Sequence, residues 1–122
     1  MELIFTKRLT QTDAETRLSW PTKHMNLLRC SSIDLNRSPN RNDEKLEFKV
    51  YDIEGRNAWS LTCTTRRTSK FLKPVISGGW TRFIKDNGLC KNDEIAFYKN
   101  MDPASYIDKP FFIGVISKAP QG

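Results

Sequence analysis

The chain has 122 residues, 38% hydrophobic and 28% charged, with thirteen aromatics, enough for one domain with a single core and too apolar for a disordered tail. Its formal net charge of +6 directs attention to polyanionic partners. The longest apolar run, Phe111 to Ile116, is too short to span a bilayer, and Leu3-Ile4-Phe5 ahead of Lys7 and Arg8 is no secretory h-region, so an intracellular protein without a membrane partner is expected.

In chain order, Leu3 to Phe5 reads as a first strand, Thr6 to Thr16 as a polar segment, and Arg17 to Trp20 as a second short strand. Pro21 suits the first turn of a helix over Thr22 to Leu28, with Met25 and Leu28 as its apolar stripe. Residues 36 to 44, "NRSPNRNDE", hold no apolar position and mark a surface loop. In "LEFKVY" and "AWSLTC" apolar and polar residues alternate, and Asp52 to Asn57 with Gly55 supplies a turn, so an antiparallel hairpin is expected.

Thr64 to Lys70, "TTRRTSK", is polar and basic and reads as an extended loop or hairpin tip. Pro74-Val75-Ile76 resumes a strand, with proline at an edge or strand start. Trp80, Phe83 and Ile84 fall on one helix face, which Asn87-Gly88 ends. Ile95 and Phe97 alternate with polar neighbours in another strand, and the near-continuous apolar run from Phe111 to Ile116 predicts a last strand buried on both faces. About seven short strands and two short helices, mostly antiparallel, predict a mainly β, open pseudobarrel with helices plugging its ends.

Catalytic patterns are absent from the sequence. Its one histidine, His24, rules out a histidine-based metal cluster and is read as an exposed or capping helix residue. Cys30, Cys63 and Cys90 have no paired spacing and are read as small buried hydrophobes in a reducing compartment. Asp13 with Glu15, and Asp93 with Glu94, are read as solvated carboxylates, and Gly78-Gly79 as a tight strand-to-helix turn in preference to an anion site. No enzyme activity, small-molecule substrate, metal or cofactor is expected.

The charge is unevenly placed. Gly55 to Lys85 contains Arg56, Arg66, Arg67, Lys70, Lys73, Arg82 and Lys85 and no acid. Such a stretch suits phosphate binding with release of condensed counterions. Arg66 and Arg67 can fork onto guanine edges, Thr and Ser can reach bases or phosphates, and Lys70 and Lys73 suit phosphate. Single-stranded RNA is less favoured because Phe71 is the only aromatic neighbour in the basic run.

The segments "LIFTKRLTQTD…RLSWPTK", "VYDIEGRNAWSL" and "VISGGWTRFIKDNGLCKNDEIAFYK" together resemble the plant B3 DNA-binding domain of transcription factors. The most specific part is met by Gly79, Trp80, Phe83, Ile84, Lys85, Leu89, Asp93, Ile95 and Phe97. The resemblance covers nearly the whole chain. It implies a seven-stranded pseudobarrel with two short helices, a nuclear transcriptional regulator, double-stranded DNA as the partner, and a major-groove clamp made of two arms.

By position, the resemblance implies a first arm of Lys7, Leu9, Thr10, Thr12, Asp13 and Arg17 to Lys23, including Thr22. The second arm would run from Trp59 through Thr62 and Thr64 to Arg66, Arg67, Thr68, Ser69 and Lys70. The link from Asp13 to Arg17 is shorter than in many such domains. Ser60, Thr62, Cys63 and Thr64 stand where many carry an arginine and aromatics. Protein co-regulators are further candidate partners. The alternatives are a domain of this type that binds DNA non-specifically or binds protein, or the recognition module of a restriction-type nuclease.

Overall fold

Alternation of apolar and polar side chains dictates most of the strands, because each has one face on the core and one in solvent. The computed structural model describes residues 1 to 35, 43 to 66 and 73 to 120. Within them run β1 (Glu2–Arg8), α1 (Gln11–Glu15), β2 (Leu18–Ser19), a 3₁₀ turn (Thr22–His24), α2 (Met25–Ser31) and β3 (Ile33–Asp34). These are followed by β4 (Asp43–Asp52), β5 (Ala58–Arg66), β6 (Val75–Gly78), α3 (Trp80–Asp86), β7 (Glu94–Lys99) and β8 (Phe111–Ser117).

The strands form one curled sheet in the order β1-β7-β8-β4-β5-β6-β2, with β3 on the edge of β4. Neighbours are antiparallel except β4 and β8, which run parallel from Val50↔Phe111 to Asp52↔Ile113. The β4–β5 hairpin is the long spine, in register from Asp43↔Arg66 to Tyr51↔Ala58. No ladder joins the two ends of the described sheet. Instead Phe5 of β1 meets Trp20, just past β2, edge-on with ring centroids 5.1 Å apart, and stacks on Phe97 at 5.0 Å. This is the expected mainly β open pseudobarrel, closed by aromatic packing.

One end is plugged by α3. Gly79 precedes it with φ of 77°, and a Cβ there would stand 2.0 Å from the Ser60 carbonyl oxygen, so only glycine lets the helix approach β5 this closely. Trp80, Phe83 and Ile84 are buried on one face as the spacing predicts, and Ile95 and Phe97 are buried in the same core. On the same inner face, at the Asp43 end of β4, the Arg29 guanidinium of α2 forks onto the buried Glu44 carboxylate, with both N···O distances 3.0 Å.

Several expectations are corrected. The polar segment from Thr6 to Thr16 extends β1 and then forms α1, because Thr10 and Asp13 cap its first turn. Residues 43 and 44, assigned to the surface loop, begin β4, and the rest of that loop lies outside the described residues. β8 is buried only from Phe111 to Ile113, and Val115 and Ile116 face solvent, because β4 turns away after Asp52 and leaves them uncovered. Cys63 alone of the cysteines is buried, Cys30 and Cys90 being exposed. Burial, aided by the Glu44 charge, pushes the Cys63 thiol up to about 12, so it stays protonated. His24 neither caps a helix with its side chain nor stands free; it is half-buried and stacked on Phe5.

Asp13 and Asp93 are buried, not solvated. Burial raises the Asp93 carboxyl, but N–H donors from Ala119 at 2.6 Å and Cys90 at 2.8 Å, with the Lys118 ammonium, outweigh it and hold the group below the ordinary carboxylate range. With the folded pKa depressed, the unfolded chain gains its proton first as pH falls. The stabilisation is therefore whole above about pH 4 and is lost as pH drops through the lower folded value. Urea unfolding of wild type and Asp93→Asn across this range should show the variant weaker at neutral pH, with the gap closing in acid. A gap that is constant with pH would contradict the assignment.

Candidate nucleic-acid interface

The sheet order fixes how the two expected arms meet. β2, within the first arm, pairs with β6, and β6 pairs with β5, which carries the described part of the second. Across this surface Ser19 is opposite Val75, Val75 opposite Thr64, and Thr64 opposite Lys45. Leu18 and Trp20 are buried while Arg17 and Ser19 are exposed, so period-two geometry turns the latter pair outward. A further tie runs between the stems, the Trp20 N–H donating to the Pro74 carbonyl at 3.0 Å.

On β5 the side chains of Leu61, Cys63 and Thr65 are buried, whereas Thr62 and Thr64 are half-buried and Arg66 is exposed. Thr62 lies beside Gly78, where an added Cβ would come within 2.9 Å of the threonine Cβ and Oγ1. The absent side chain leaves that threonine uncovered. Lys73 is exposed where the chain re-enters β6. Arg67, Thr68, Ser69 and Lys70 lie outside the described residues.

The first arm is held from within. The Thr10 hydroxyl accepts from the Asp13 N–H at 3.2 Å, the Asp13 carboxylate accepts from the Thr10 N–H at 2.8 Å, and Lys7 Nζ stands 3.4 Å from the same carboxylate. Asp13 thus ties the start of α1 together, and its carbonyl accepts the Trp80 indole N–H at 2.6 Å. Thr12 is exposed on its side chain, and its carbonyl receives the N–H groups of Thr16 and Arg17 at 2.9 and 3.2 Å. Thr22 and Lys23 are exposed on the 3₁₀ turn, and Leu9 is buried. Trp59 is core, its indole N–H donating to Asp86 Oδ2 at 3.0 Å.

The acid-free stretch does not form one patch in space. Arg56 belongs to the turn at the opposite end of the hairpin from Arg66, eight residue steps of β5 or about 27 Å away, and is ion-paired to Glu54 at 3.4 Å. Arg82 pairs with Asp86 along α3 at 3.7 Å. Among the described residues, Arg17, Lys23, Arg66 and Lys73 are exposed on or next to the arm segments, and Lys45 of β4 is exposed opposite Thr64. Lys45 was missed in the sequence, although the strict alternation of β4 puts it on the outer face and the hairpin register sets it beside Thr64. Among the described residues no cluster of His, Cys, Asp and Glu has the makings of a metal site, and no helix is long and apolar enough to cross a membrane.

No protein-family model matches the chain, and no curated protein matches it significantly. Solved structures do. Arabidopsis FUS3 in complex with DNA superposes with a TM-score of 0.68 at 16% identity, covering 97% of this chain and all of the FUS3 chain. A hypothetical protein of Arabidopsis thaliana superposes with a TM-score of 0.50 at 19% identity, covering 93% of this chain and 89% of that one. These likenesses show the fold, a curled half-barrel with short helices of the B3 pseudobarrel type.

Trp80→Phe retains the ring and removes the indole donor, leaving the Asp13 carbonyl unpaired at a cost of about 1–3 kcal/mol. Hydrogen exchange followed by NMR should show faster opening of residues 10 to 17 than of the β4–β5 ladder. Uniform change across both, or none, would mean that the indole does not hold the arm.

Proposed function

We propose that the chain is a single B3-type domain that binds double-stranded DNA through the major groove, as the DNA-binding part of a plant nuclear transcriptional regulator. The observation that carries this reading is the adjacency of the arm stems: Ser19 of one lies across Val75 of β6 from Thr64 of the other, with Arg17 two residues before Ser19 and Arg66 two residues beyond Thr64. A full-length fold match to a protein solved on DNA supports it.

In this reading Lys23, Lys45, Lys70 and Lys73 neutralise phosphates and set the register of the domain on the duplex. Arg66 and Arg67 fork onto guanine N7 and O6, and Arg17, Ser19, Thr62, Thr64, Thr68 and Ser69 reach base edges or sugar-phosphate. Thr10, Asp13 and Lys7 act indirectly, by holding α1 at the angle from which Thr12 and Arg17 extend. The protein works by binding, without catalysis or cofactor. The threonines of β5 favour a second reading, in which contacts are mainly to phosphate and sequence preference is weak, because one hydroxyl discriminates bases less than a bidentate guanidinium does.

Selection from a random duplex pool separates the two. Wild type should enrich a defined motif, and Arg66→Ala/Arg67→Ala should bind the enriched duplex at least about tenfold more weakly. Its melting temperature should stay near that of wild type, since Arg66 is exposed. The logarithm of the association constant should fall with the logarithm of salt by about 0.9 per phosphate contact. Unaltered affinity and selectivity in the double variant, or binding insensitive to salt, would overturn the arm assignment.

A further inference from the structure

The far end of the β4–β5 hairpin carries a cleft of about 220 Å³, smaller than sites for drug-sized ligands and closer to the scale of one side chain. Its floor includes Trp59 and Phe83, and its acidic lining residues are Asp52 and Glu54, with no Lys or Arg among them. Two cations flank these acids: Arg56, paired to Glu54, and Lys109, whose Nζ lies against Gly55 and over the Tyr51 ring. Burial raises the Asp52 carboxyl, but bonds from the Arg56 N–H and Asn57 Nδ2 outweigh it and hold the group ionised. Among the described residues Glu54 is paired with the neighbouring Arg56, in a pair exposed on both sides, which a competing cation displaces at little cost.

A strand edge opens onto the same cleft. β8 pairs with β7 as far as Ser117, but with β4 only up to Ile113. Along Gly114 to Ser117 its other edge has no strand partner among the described residues. Val115 and Ile116 there are 39% and 47% exposed. Asn87 gives its Nδ2 to the Phe83 carbonyl and closes the side of the cleft toward α3.

We infer that this cleft is a docking site for an extended peptide segment of a partner protein, which adds a short strand to β8 along Gly114–Ile116. The peptide seats an aliphatic side chain over Trp59 and Phe83 and sets an adjacent Lys or Arg against Asp52 and Glu54. Main-chain hydrogen bonds to the open edge supply affinity, and the apolar floor and acidic rim supply specificity, as in other cases of strand addition. Trp59 is seven residue steps from Arg66, about 24 Å along β5, so the two ends can be occupied together.

The test uses a random short-peptide display library selected against the full chain with no DNA present, so its outcome is independent of the DNA-binding reading. Recovered peptides are titrated by fluorescence anisotropy against wild type and Glu54→Lys, a replacement at a side chain 70% exposed and so without effect on folding. The expected peptides pair an aliphatic residue with a Lys or Arg close by, lose about tenfold in affinity to Glu54→Lys, and slow amide exchange in Gly114 to Ser117. Peptides without that pattern, indifferent to Glu54→Lys or leaving those amides unprotected, overturn the proposal, as does recovery of none. Recovery of segments of this chain, with concentration-dependent dimers, would overturn it by assigning the face to a second copy.

Discussion

The Trp80 indole is the joint between the two halves of this molecule. Its ring is wholly buried against Phe83, while its N–H reaches across to the Asp13 carbonyl at 2.6 Å. The barrel plug and the first arm therefore share one side chain. That contact needs α3 close to β5, which the missing Cβ of Gly79 permits, and it needs α1 formed, which the reciprocal Thr10–Asp13 cap provides. Because the barrel's edges close through Phe5 and Trp20 and not through a ladder, the aromatic packing around them also sets where β2 enters the arm surface.

From that joint follows a division of the hairpin into two unlike ends. At the Asp43–Arg66 end the stems of both arms come together with exposed cations and hydroxyls. At the Asp52–Ala58 end the surface is apolar with an acidic rim, and a strand edge lies open. A rigid antiparallel pair separates them, and β5 contributes to both faces: Thr62, Thr64 and Arg66 outward at one end, Trp59 inward at the other. Changes of charge at either end have no shared side chain through which to act on the other.

Much of this was legible in the sequence. The hairpin, the α3 stripe of Trp80, Phe83 and Ile84, and the turn at Gly78-Gly79 follow from periodicity and glycine placement, which are local properties. α1 was missed because its one apolar residue, Ala14, gives no stripe, although the Thr10-x-x-Asp13 spacing was a readable cap. The solvent exposure of Val115 and Ile116 depends on where β4 turns away, a long-range fact that no apolar run records. The acid-free stretch misled for a similar reason. Arg56 and Arg66 lie at opposite ends of the hairpin, and the cation set beside Thr64 comes from another strand, Lys45 of β4.

The most direct measurement is an amide NMR titration of the chain with the duplex it selects most strongly from a random pool. If the two stems form one DNA-reading surface, the largest shifts fall together on Arg17, Ser19, Thr62, Thr64 and Arg66, and the turn from Asp52 to Asn57 stays unmoved. Shifts centred on that turn, or confined to one stem while the other is silent, would contradict it.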